Sequence, residues 1–234
     1  MQTCRRTSCG SVRKFADRFF KALAKCLSDA ANAAMKHLLV ICASVMLATS
    51  CAEAERTPAS ASIEALPDMR WSHVEGHGAW NAAAIEALGD HGQPLVEIVP
   101  KDIETWCPAY PDAGPSERKA FWVGLMSAMA KHESTYKQTA VNPNGKWFGL
   151  LQIAPATARG YDCRAGSGAE LKVGGENLSC AIRIMSVTVP RDGVIADKDS
   201  RWRGVAADWG PLRVPSKRRD ISGWLKDQPF CQKS

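Results

Sequence analysis

The stretch Pro115–Glu133, "PSERKAFWVGLMSAMAKHE", opens with a Pro and a Ser, residues suited to the first turn of a helix. From Ser116 onward it spaces Trp122, Leu125, Met126 and Met129 by three and four, which sets one apolar stripe along a helix. Such a helix has to be covered, and the rest of the chain offers mostly more helices. "AWNAAAIEAL" closes at Gly89, "APATARG" ends at Gly160, and "ENLSCAIRIMSV" is amphipathic with Pro190 expected to stop it. "SRWRGVAADW" and "SKRRDISGWLKD" are two further candidates. Strand signals are sparse: "PLVEIVP", and a small hairpin around "KWFGLLQI" after "NPNG". The expected fold class is mainly α, with a minor β element near residues 141–153.

Charge and cysteine patterns separate this domain from what precedes it. Residues 1–54 hold 8 of the 30 Lys and Arg but 3 of the 24 Asp and Glu, so the remainder, with 22 against 21, is close to neutral. A near-neutral folded part does not indicate a nucleic-acid partner. From Met35 the chain reads "MKHLLVICASVMLATSCAEAER", a basic start, an apolar run from Leu38 to Ala48 and then small residues. That is the layout of a secretory signal peptide, too short to span a bilayer comfortably. The expected organisation is an extension over 1–34, a signal peptide over 35–54, a Pro/Ser/Ala-rich linker over 55–68, and one domain over 69–234. Cleavage is expected after Ala54, leaving an exported, periplasmic protein. Lipidation of Cys51 would instead make it a lipoprotein of the outer membrane, but Ala48 makes a poor lipobox. A membrane partner is expected only in that case.

Five Cys lie at or before the cleavage region, and four follow it: Cys107, Cys163, Cys180 and Cys231. An even set in an exported chain points to disulfides, and four Cys allow three pairings, among which sequence cannot choose. The expectation adopted is Cys163 with Cys180, closing the segment between two helices, and Cys107 with Cys231. No CxxC is present, so zinc or redox chemistry through these residues is not expected. "HVEGH" at His73–His77 lacks the Glu directly after the first His that a zinc-protease helix needs, and Gly76 disfavours the helix. Neither a metal nor a cofactor is expected.

Glu133 is the residue that carries chemistry. It follows Met129 by four and so continues the apolar stripe to the C-terminal end of the helix. Burial and the negative end of the helix dipole both disfavour its charge, and a carboxyl protonated near neutral pH is what a general acid requires. A frayed, solvated helix end is the alternative from spacing alone. His132, about 100° away around the helix, reads as a surface residue.

The order "ES" at Glu133–Ser134, an aromatic at Tyr136, "AVNPNG", "GLLQI" at Gly149–Ile153 and then "APATA" resembles the lysozyme-like superfamily, and most of all its soluble lytic transglycosylases. The resemblance covers Glu133 to Ala158. It implies that Glu133 is the catalytic acid and base, and that Ser134, Tyr136, Gly149, Leu151 and Gln152 line the sugar groove. It also implies that the partner is the glycan strand of peptidoglycan and that the protein works as a monomer. Downstream the family carries "AYNAGP", whose Tyr and Asn face the sugar. This chain has "AADWGP" instead, and Trp209 either stacks on a sugar ring or fills the core.

No Asp or second Glu lies between Glu133 and Gln152. Glycoside hydrolases commonly use two carboxylates, so a single Glu favours a transglycosylase, in which the substrate's own hydroxyl is the nucleophile. Asp162 or Asp208 could still fold into the site. The rival expectations are a hydrolase of the same fold and a wall-binding protein without activity.

Overall fold

The computed structural model describes residues 66–233. The expected extension, the expected signal peptide with Cys51, and the part of the expected linker before Leu66 lie outside them. Helix α1 spans His77–Gly89, α2 Gln93–Glu97, α3 Pro115–Glu133, α4 Pro155–Gly160, α5 Gly174–Asp192 and α6 Pro215–Lys226. Strands β1 (Ala196–Lys198) and β2 (Trp202–Gly204) form one antiparallel pair, with Asp197 opposite Arg203. The architecture is that of a mainly helical, lysozyme-like fold. No helix among the described residues is long and apolar enough to cross a membrane.

Helix α3 is the axis of the core. Pro115 sits in its first turn, after an extended Gly114. Every residue from Ala120 to Ala130 is buried, so the helix is enclosed all round and not along a single stripe. Gly124 permits part of that enclosure, because a Cβ there would lie 2.9 Å from Phe230 Cζ. Trp122 Nε1 donates to the Leu95 carbonyl (2.8 Å), and Tyr110 Oη donates to the same oxygen at 2.8 Å. Burial pushes the Tyr110 phenol up to about 12.

Three local expectations are corrected. "PLVEIVP" is not a strand: Pro94 starts the short α2, and Leu95 and Val96 go into the core. Helix α5 does not stop at Pro190 but runs to Asp192, where Gly193 caps it at φ 70° and donates to the Val189 carbonyl (2.7 Å). "SRWRGVAADW" is not a helix. Gly204 adopts φ 62°, where an added Cβ would lie 2.1 Å from the Val194 carbonyl oxygen, and the segment becomes β2 followed by a 3₁₀ turn at Val205–Ala207. Two distant carboxylates set this corner. Asp102 accepts from the amides of Ile195 (2.7 Å) and Ala196 (2.8 Å), and Asp192 accepts from Gly204 N (2.7 Å). The β element expected near residues 141–153 consists of two isolated bridges, Val141 with Phe148 and Phe148 with Ile153.

Disulfides join Cys107 to Cys231, which are 124 residues apart, and Cys163 to Cys180, 17 apart. The first ties the tail to the segment ahead of α3; the second ties the end of α4 to α5. In the chain-entropy model loops of these lengths contribute about 3–5 kcal/mol each. Replacing Cys107 and Cys231 together by Ser is expected to lower the urea midpoint by more than the same change at Cys163 and Cys180, since the longer loop restrains more unfolded chain.

Candidate active site

The site begins where α3 ends. Ser134 N and Tyr136 N both donate to the Ala130 carbonyl (3.1 and 3.3 Å), and Thr135 and Tyr136 take φ of 53° and 62°. Two consecutive non-Gly residues in the left-handed region are a costly way to leave a helix. They turn the chain sharply directly after Glu133. Glu133 is half-buried. Burial lifts its carboxyl to about 7, against the opposing pull of Lys217 and then Arg213. A group of that kind is divided between its protonated and ionised forms at neutral pH.

The segment "FGLLQI" is held in place from behind by a residue that reading the sequence missed. Asn177, fully buried on α5, donates to the carbonyls of Phe148 (2.9 Å) and Leu171 (3.0 Å) and accepts from Leu151 N (2.9 Å). Gly149, at φ 82°, lets the backbone approach this clamp; an added Cβ would lie 2.0 Å from the Leu171 carbonyl oxygen. Gln152, at φ 48°, donates from its side-chain amide to the Gly149 carbonyl (2.9 Å). A signal for Asn177 existed. It stands four before Ala181 and seven before Ile184, a polar side chain on the apolar face of an amphipathic helix.

Four of the candidate sugar contacts are packed within the fold. Leu151 is fully buried, Gly149 is buried, and Ser134 is buried with its hydroxyl donating to the Ala130 carbonyl (3.3 Å). Trp209 is 4% exposed and donates its indole N–H to the Leu151 carbonyl (2.9 Å), so it is a packing residue and offers no stacking surface. Tyr136 and Gln152 remain half-buried at the edge of the site. The Tyr136 ring packs edge-on against His73, with centroids 5.0 Å apart, and burial raises its phenol.

A second network locks the end of α3 to α6. Asp220 accepts two bonds from Arg70 (2.8 Å each), one from Lys131 at 3.1 Å and a contact from His132 Nε2 at 2.7 Å. His132 is thus an anchored residue and not the surface residue expected. Arg70 is itself placed on α3 by its backbone N–H, which donates to Ser127 Oγ (3.1 Å). Of the "HVEGH" pair, His77 turns its Nδ1 to the Val74 carbonyl (2.9 Å).

The description of the transglycosylase SLT domain matches residues 113–191, the span from α3 to the end of α5. Bd0314 DslA, wild-type form 2, is 30% identical with a TM-score of 0.66, over 72% of this chain and 100% of that one. The chain belongs to the transglycosylase SLT family. A variant of DslA with one Glu replaced by Gln is 31% identical with a TM-score of 0.64, over 69% of this chain and 96% of that one. No curated protein sequence matches the chain. SLT membership implies a peptidoglycan-active, lytic transglycosylase-like function and a place of action outside the cytoplasm.

The opposing influences on Glu133 give a prediction for pH dependence. Lys217 and Arg213 favour the ionised carboxylate, so removing either charge raises the Glu133 pKa further. If loss of the acid's proton sets the alkaline limb of kcat/KM, Lys217→Met should move that limb to higher pH. A pH profile of wall digestion checks this; a limb that stays or moves down would separate Lys217 from Glu133.

Proposed function

We propose that the protein is a lytic transglycosylase that cleaves the β-1,4 bond between N-acetylmuramic acid and N-acetylglucosamine with Glu133 as its one acid and base. Protonated Glu133 gives its proton to the glycosidic oxygen, and the bond from that oxygen to the muramyl C1 breaks. The 2-acetamido group helps to stabilise the cationic centre. Glu133, now a carboxylate, takes the proton of the muramyl 6-hydroxyl, whose oxygen bonds to C1 and closes a 1,6-anhydro ring. One group serves both steps well only if its two forms are both accessible near neutral pH. The observation that carries this reading is a half-buried Glu133 with a pKa near 7, whose charged neighbours, Lys217 and Arg213, are both cations.

Tyr136 and Gln152, both partly exposed, are the proposed contacts to the sugar. Gln152 has its amide N–H donors occupied by backbone, which leaves its carbonyl oxygen to accept from a sugar hydroxyl or amide.

A second reading, hydrolysis, is favoured by one observation. Arg213, which acts on Glu133, also acts on Asp208, whose carboxyl burial raises. Asp208 stands where the family motif has its Asn. A carboxylate there could serve as base for water. Mass spectrometry of digested peptidoglycan separates the two. Transglycosylation gives muropeptides ending in 1,6-anhydro-N-acetylmuramic acid, one water lighter than hydrolytic products and without a new reducing end. Reducing muropeptides as the main initial product, lost in Asp208→Asn, would establish the second reading.

A further inference from the structure

The segment running from the 3₁₀ turn at Gly210–Arg213 into the first turn of α6 reads "RVPSKRR", with Arg213, Lys217, Arg218 and Arg219 and no acid. The next residue, Asp220, is already shared by Arg70, Lys131 and His132. Among the described residues, none of the four cations has an ion-pair partner. Arg213 donates to the backbone carbonyls of Ala206 and Ala207, which orient its charge without cancelling it. Arg218 lies over the Trp202 ring at 5.1 Å, and Arg219 is exposed.

The register of α6 against α3 places this charge at the site. Asp220 is bonded to Lys131 and His132, the two residues before Glu133. Lys217, three residues earlier on the same face of α6, is therefore one turn along from that contact, beside the end of α3. Successive residues separate by about 100°, so Arg218 turns from Lys217 toward Trp202, and Arg219, about 200° round, points away from the end of α3 into solvent. The cations at the site are Lys217 and Arg213. Like charges this close repel one another, and no carboxylate among the described residues forms an ion pair with them. The domain as a whole is near neutral, so the concentration is local.

We infer that this basic wall holds the carboxylates of the peptide stems carried by the glycan strand, and so selects peptide-bearing strands over neutral ones. The inference rests on the peptidoglycan reading above and assigns the substrate's anionic substituents to Arg213 and Lys217. Neutral chitin-like strands share the sugar backbone but offer this wall no counter-charge. The contribution is electrostatic and largely exposed, so it weakens with added salt.

The test is binding by the full chain carrying Glu133→Gln, so that no strand is cut during the measurement and the carboxyl no longer titrates. Adding Lys217→Gln should weaken binding of peptide-bearing glycan strands about threefold at low salt, and adding Arg219→Gln in its place should not. Binding of chitohexaose should stay unchanged, which also shows that the variant is folded. The deficit should shrink as salt is added. Equal weakening for both ligands, or for neither, would overturn the inference. So would loss of binding to vesicles containing phosphatidylglycerol with peptide-bearing strands unaffected, which would assign the wall to a membrane surface. Cleavage is measured separately on the chain with Glu133 intact. If that chain cuts no wall while charge-dependent binding persists, the catalytic reading falls and this one stands.

Discussion

Replacing Glu133 by Gln removes nearly all wall cleavage and makes the protein more stable at alkaline pH. The amide has almost the same shape, so the fold is kept. Loss of a general acid typically costs a factor of about 10²–10⁴, and here one residue serves both steps, so the loss sits at or above the upper end. The stability gain follows from linkage. The Glu133 pKa is raised from 4.5 unfolded to about 7 folded, so between those values the folded state binds more protons than the unfolded. The contribution of Glu133 is best below pH 4.5 and is lost as pH rises through 7. Keeping the ionised carboxyl in its half-buried place above pH 7 costs up to about 3 kcal/mol. Gln has no such charge. Urea denaturation at pH 8.5 should therefore show a higher midpoint for the variant, and the difference should vanish near pH 4. Equal midpoints at both pH values would mean that Glu133 is solvated and lacks the environment of a general acid.

The second large effect is at Asn177. Changing it to Leu keeps the volume but leaves the carbonyl of Leu171 and the N–H of Leu151 buried without the partner they have now, while the Phe148 carbonyl keeps the N–H of Ile153 (2.9 Å). Each of these two groups costs about 1–3 kcal/mol, so a loss of about 2–6 kcal/mol is expected, a large part of the stability of an ordinary domain. Asn177→Asp should be little better, because a carboxylate would meet two carbonyl oxygens where the amide donated. Activity should fall in any variant that still folds, since the clamped segment carries Gln152. A variant with near-native stability and full activity would show that the clamp is dispensable.

The legible parts of this protein were those with a local cause. Pro115 and the spacing from Trp122 to Glu133 announced α3, because helix periodicity is written within a few turns of chain. The same spacing placed Glu133 on apolar surface at a helix end. Even here sequence reading was partial. It described one buried stripe, whereas α3 is enclosed on every side, and enclosure depends on Phe230 and Leu225, about a hundred residues away in the chain.

The misread parts had distant causes. "SRWRGVAADW" has the composition of a helix, but the carboxylates of Asp102 and Asp192, brought in from other elements, accept the N–H groups that hold a hairpin there. Trp209 could stack or pack on its sequence alone; the carbonyl of Leu151, 58 residues earlier, accepts its N–H and takes it inside. Parity and compartment suggested disulfides, while the pairing depended on which helix ends meet.

What the sequence determined by itself is thus the helical class, the position of Glu133 at the end of α3 and the family pattern that follows it. These rest on the 3.6-residue period and on residues adjacent in the chain. Tertiary structure alone decided which of the pattern's residues are buried and which keep an exposed side chain. It also decided that Asp220 is consumed by three partners, leaving Lys217 beside Glu133 without an ion-pair partner among the described residues. Burial and charge compensation are properties of the packed whole, because they depend on which groups from distant segments share the same few ångströms.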